Sequence, residues 1–90
     1  MHEQGLINDL MPRIARAART EEADRVVAVS AWFGALSHMS PDHFREHFDL
    51  TSAGSLAEGA RLAITTPDDI HDCAAADVLL EGVEVETGRR

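Results

Sequence analysis

Three residues at the start of the chain, Met1-His2-Glu3, bring together a primary amine, two deprotonable amide nitrogens, an imidazole and a carboxylate. The Met1 amine, the His2 amide and the His2 imidazole can close adjacent chelate rings around one ion. Glu3 can add a further amide nitrogen or its carboxylate. Nitrogen-rich planar sets of this kind favour Ni(II) or Cu(II) over zinc. Loading such a site releases protons from amine, amide and imidazole, so affinity falls as pH drops. Met1 is expected to be retained, because histidine in second place is too bulky for ordinary methionine removal. The bland alternative is that His2 and Glu3 merely begin the chain, with Glu3 well placed at the positive end of a helix.

Other donors are weaker candidates. His43 and His47 lie four apart, beside Asp42 and Glu46, so a helix would put both imidazoles on one stripe. The spacing lacks the His-Glu-x-x-His base of a zinc hydrolase, and the polar border of an amphipathic helix is the favoured reading. His38 sits in the turn before that helix and reaches the N-terminal site only if the turn folds that way. His71-Asp72-Cys73 offers imidazole, carboxylate and thiol together, but sequence neighbours rarely share triad geometry, and a solvated loop is the simpler expectation. Asp68, Asp69, Asp72 and Asp77 lack calcium-loop spacing. With no nucleophile–base set, phosphate loop or catalytic metal triad, the chain does not read as an enzyme.

Whole-chain properties narrow the classes further. Ninety residues make one small domain, 1–90. A hydrophobic fraction of 44% with 27% charged residues speaks for a folded chain rather than a disordered one. The net charge of −8 repels phosphate backbones and anionic lipid, which argues against nucleic-acid and membrane partners while tolerating cations. The single cysteine, Cys73, permits no intramolecular disulfide and no thiolate zinc site within one chain. No signal peptide or membrane span is legible, so a cytoplasmic location is expected.

The elements that must position these donors follow from periodicity. Leu6, Ile7, Leu10, Met11, Ile14, Ala15 and Ala18 give residues 3–20 one apolar helical face. Pro12 within it predicts a kink near Asn8, or else a later helix start. Ala23 to Phe33 reads as a central strand, with Val27, Val29, Ala31 and Phe33 on one face and Val26, Ala28, Ser30 and Trp32 on the other. Ser40-Pro41-Asp42 starts a short helix over 41–50 carrying Phe44 and Phe48. Trp32 and these two phenylalanines are expected in the core. Ala60–Thr65 and Val78–Glu86 read as strands, with a bulge at Gly82 where the apolar parity changes. The expectation is an α+β domain of order α-β-α-β-β, two helices packed on one face of a three-stranded sheet, its last two strands an antiparallel hairpin.

In order and spacing, Met1-His2-Glu3, Arg25-Val26-Val27, Gly34-Ala35-Leu36-Ser37, Pro41-Asp42-His43-Phe44, Glu58-Gly59-Ala60-Arg61-Leu62-Ala63-Ile64 and Val83-Glu84-Val85-Glu86 resemble the HypA/HybF family. These are nickel metallochaperones of [NiFe]-hydrogenase maturation, some also serving urease. The resemblance implies Ni(II) as cargo, Met1, His2 and Glu3 as its ligands, and a nickel-handling GTPase and a hydrogenase large subunit as partners. Family members carry a zinc domain with two Cys-x-x-Cys pairs between the last two strands. Here a short loop, 67–77, with one cysteine stands in its place, so no structural zinc is expected. The competing expectation is a metal-independent interaction module, possible as a homodimer, that lost the chaperone role together with the zinc domain.

Overall fold

The computed structural model describes residues 3–87, with the backbone alone at Glu3. Helix α1 (Glu3–Thr20) turns Leu6, Ile7, Leu10, Ile14 and Ala18 inward, and all five are buried. The helix is continuous from Glu3, so the later start is not what forms. Pro12 and Asn8 both lie on the exposed side, where water can take the carbonyl that Pro12 leaves without an amide. The helix ends in a Schellman turn: the Ala23 amide donates to the Ala18 carbonyl at 2.9 Å and the Glu22 amide to Arg19 at 3.0 Å. Glu22, at φ 53°, takes the left-handed position that reverses the chain.

The sheet has the order β2-β1-β3. Strand β1 (Arg25–Phe33) lies in the middle, parallel to β2 (Arg61–Thr65) and antiparallel to β3 (Val78–Glu86). The expected hairpin of the last two strands is therefore corrected. Helix α2 (Pro41–Ser52) supplies the crossover that a parallel β1–β2 pair requires, and β3 then adds on the other side of β1. The connecting segment 66–77 crosses the end of β1 instead of turning back along β2. It is tied there by the Gly34 amide donating to Asp77 at 2.8 Å and the Leu36 amide donating to Ala75 at 2.7 Å. A Cβ at Gly34 would sit 2.2 Å from the Ala75 carbonyl oxygen, so this crossing demands glycine.

Two irregularities modify the expected faces. The β1–β3 register shifts between Val26 and Ala28, leaving Val27 as the extra residue. Val26 accordingly joins Val29, Ala31 and Phe33 in the core, while Val27 is only half-buried. The second shift lies between Ser30, opposite Gly82, and Ala31, opposite Leu80. Its extra residue is Glu81, next to the glycine where the parity change placed it.

Both helices share one core with the inner face of β1. Phe33 meets Phe44 edge-on at 5.2 Å between ring centroids, and Phe44 stacks on Phe48 at 6.5 Å. Trp32, expected in the core, is half-buried on the face away from Phe33, opposite the exposed Leu79, because adjacent strand residues point to opposite sides. Helix α2 runs to Ser52, capped by the Ser40 hydroxyl accepting from the His43 amide at 3.4 Å. Arg45 on α2 donates to the Leu62 carbonyl of edge strand β2 at 2.8 Å. This bond fixes the helix along the sheet.

Candidate metal centre

Met1 and His2 lie outside the described residues, as does the Glu3 side chain. Their surroundings can still be built from Gln4, the first residue with a described side chain. Gln4 is one position after Glu3 and two after His2. Its Nε2 donates to Asn8 Oδ1 at 3.0 Å and to Thr51 Oγ1 at 3.4 Å. Its Oε1 lies 3.2 Å from His47 Nδ1. The first turn of α1 is therefore joined side by side to the second half of α2. Thr51 and His47 are one turn apart on α2, which is why a single amide reaches both.

Among the sequence candidates in the described residues, His47 is thus the imidazole that the fold brings to the first turn of α1. His47 is half-buried, while His43, one turn earlier on the same helix, is exposed. His38 belongs to the other end of α2, since Pro41 to His47 alone spans about 9 Å of helix. It lines an open cleft of about 480 Å³ with Phe33, Thr66, Pro67, Asp68 and Ile70. At φ 58° it holds a left-handed turn position, an energetically costly one for a residue with a Cβ.

The loop donors are spent differently. His71, Asp72 and Cys73 are all exposed. Asp69 Oδ1 accepts from the His71 amide at 2.9 Å and Asp72 Oδ1 from the Ala74 amide at 2.7 Å. These are short-range side-chain turns that fold the loop on itself. The solvated loop holds as expected, although it joins two edge strands and not a hairpin. Among the described residues, no group of three or more His, Cys, Asp or Glu side chains is placed to hold a metal ion. The donors expected from the sequence are those of residues 1–3. The donor set there fits such an ion: amine, amide and imidazole nitrogens on consecutive residues close small chelate rings.

Gln4 escaped sequence reasoning. Its signals were present, in the i,i+4 pair Gln4/Asn8 and the i,i+4 pair His47/Thr51. Nothing in the linear pattern says that these two stripes face each other.

Among the described residues, no helix is long and apolar enough to cross a membrane. Comparison with known proteins agrees with the fold and adds a family. The chain resembles the solution structure of the Ni metallochaperone HypA from Helicobacter pylori with a TM-score of 0.80 at 18% identity, covering 97% of this chain and 99% of that one. A second HypA solution structure matches with a TM-score of 0.76, also at 18% identity, over 97% of this chain and 98% of that one. At such identity these likenesses speak for the fold. In sequence, the hydrogenase maturation factor HypA of Acidithiobacillus ferrooxidans is 36% identical over 66 residues, 73% of this chain and 58% of the relative. That of Rhodopseudomonas palustris is 39% identical over 64 residues, 71% of this chain and 57% of the relative. The chain thus spans less than two thirds of the length of these curated relatives. The family model described as hydrogenase/urease nickel incorporation, metallochaperone, hypA, matches residues 1–87. With its fold, its sequence relatives and nearly its whole length in agreement, the chain belongs to the HypA family.

Proposed function

We propose that this protein binds Ni(II) through the Met1 amine, the His2 amide and imidazole, and Glu3, and assists insertion of the ion during maturation of a [NiFe]-hydrogenase or urease. The observation that carries this is the family match, which begins at residue 1 and so includes the whole tripeptide. The fold supports it. Helix α1, Glu3–Thr20, includes the last residue of the tripeptide, so a packed element follows the proposed donors without an intervening loop. Nickel is cargo here, and no catalytic role is assigned to any side chain. A nickel-handling GTPase and a hydrogenase large subunit are the proposed partners, in the cytoplasm. The segment 67–77 stands in this proposal where the family's zinc domain would be, and it holds one cysteine in place of two Cys-x-x-Cys pairs. The metal-independent module has no observation of its own in its favour.

The test is a Ni(II) titration of untagged protein beside His2→Ala. The variant is expected to lose at least about tenfold in affinity, the lower end of what disturbing a metal site costs. Equal affinities would remove the proposed site.

A further inference from the structure

We infer that the sheet face away from the helices is a self-association surface, on which a second copy of this chain stacks about a two-fold axis running along β1. The inference is independent of the nickel proposal, since every residue it uses lies in the sheet. Strand register fixes what this face presents. Across the three strands its rows read Arg61–Ala28–Glu84, Ala63–Ser30–Gly82 and Thr65–Trp32–Leu79. Alanine, serine and glycine keep the middle of the face low, so another sheet can approach it closely. Trp32 is half-buried and Leu79 stays 44% exposed, because both helices pack on the opposite face. A sheet face turned to water ordinarily carries polar residues, and a parallel pair such as β1–β2 is ordinarily covered on both sides. Of the β1 residues in these rows only Ser30 is polar with an aliphatic or aromatic neighbour on either side, Ala28 and Trp32.

Charge selects the occupant. Arg61 and Glu84 stand on the two outer strands with Ala28 between them, about 10 Å apart and beyond ion-pair reach within one chain. A two-fold axis along the strands lays β2 of one copy over β3 of the other, so Arg61 of each copy faces Glu84 of the second. Aligned sheets pack about 10 Å apart, a gap that an arginine and a glutamate side chain together span. The same rotation sets Trp32 on Trp32 at the axis and Leu79 on Thr65. A two-fold axis across the strands would instead set Arg61 on Thr65 and Glu84 on Leu79, covering both charges without partners, which is costly. Arg25, further along β1, is already paired with Glu86 at 3.7 Å and brings no uncompensated charge. Pairing edge to edge through β3 is the poorer arrangement, because the extra residue Glu81 bends that strand and adds an exposed carboxylate. Three strands and the five residues of β2 make a face of about 15 by 16 Å, below the size of a standard interface, so the dimer forms and dissociates readily.

Sedimentation equilibrium, together with the emission of Trp32, the one tryptophan of the chain, tests this on untagged protein. A chelator is present throughout, which removes metal-bridged association. The proteins compared are wild type, Trp32→Ser, Arg61→Glu, Glu84→Arg and the double exchange of Arg61→Glu with Glu84→Arg, each checked for folding by circular dichroism. Wild type is expected to pass from monomer toward dimer between about 10 μM and about 1 mM, with Trp32 emission moving to shorter wavelength as the dimer forms. Trp32→Ser and each single charge reversal are expected to weaken association by at least about tenfold, and the double exchange to restore it, because opposite charges then face each other again. A wild type that stays monomeric at every concentration would overturn the inference and give the face to solvent or to a different protein. A dimer that ignores Trp32→Ser would overturn it by placing the contact elsewhere. A dimer that ignores the charge reversals would overturn the two-fold axis along β1. Should Trp32→Ser fail to fold, the single reversals and the double exchange decide.

Discussion

Two regions of the molecule carry metal-capable side chains, and they use them in opposite ways. At the α1–α2 seam, Gln4 bonds His47 and Thr51 across two helices, partners 43 and 47 positions apart in the chain. In the loop after β2, the Asp69 and Asp72 carboxylates bond amides two residues onward. The loop has the richer inventory, since His71, Asp72 and Cys73 are adjacent. Its donors are exposed and serve local turns. The seam has fewer donors, but they sit on two helices that share one core, Leu6, Ile7 and Leu10 of α1 with Phe44 and Phe48 of α2. Packed elements give a ligand the better support, because a side chain held by packing loses less freedom when an ion binds.

This contrast can be broken at its foundation. Phe48 is buried to 2% exposure on the helix that presents His47. Phe48→Ala should destabilise the fold by about 3–5 kcal/mol, read from urea unfolding. For a domain this small, such a loss leaves much of the population unfolded at physiological temperature. A loss under about 1 kcal/mol would mean that the seam is not held by this core.

The loop side is attacked through Gly34. Any side chain there meets the Ala75 carbonyl, so Gly34→Ala should cost about 1–3 kcal/mol while the nickel affinity of the folded fraction stays at the wild-type value. Calorimetric titration in parallel with thermal unfolding separates the two quantities. Nickel affinity that fell together with stability would join the two regions that the structure keeps apart.

A smaller effect, of opposite sign, is expected at the turn before α2. His38 holds φ 58°, so His38→Gly should relieve strain and raise stability by about 0.5–1 kcal/mol, again by urea unfolding. A loss of nickel affinity in that variant would move His38 into the metal site, against its placement at the far end of α2. The smallest effect belongs to the loop donors. A double variant, His71→Ala with Cys73→Ser, should change stability by no more than about 0.5 kcal/mol, because both side chains are exposed. Its nickel titration should overlay that of the wild type.

Much of the fold was legible because its signals are local. The apolar stripe from Leu6 to Ala18, the Ser40-Pro41 helix start and the bounds of Val78–Glu86 all follow from periodicity or capping. Strand pairing was not legible. A parallel β1–β2 pair and a β3 that adds to the opposite edge produce the same linear order as a terminal hairpin, and only the sheet distinguishes them. The bulge at Val27 exchanged the faces of Val26 and Val27, and no glycine or proline marked it. At the candidate site, the tripeptide was visible from donor chemistry, and the polar seam beside it was not. Gln4 reads as an ordinary surface residue of α1 until the second helix is set against it.

The central claim is that nickel is held at the start of the chain with the Met1 amine as a ligand. Its most direct test is a Ni(II) titration of the protein with that amine free and with the same amine acetylated, since acetylation removes the donor without touching the packed core. The account predicts that acetylation weakens nickel binding by at least about tenfold. Equal affinities for the free and the acetylated protein would contradict it.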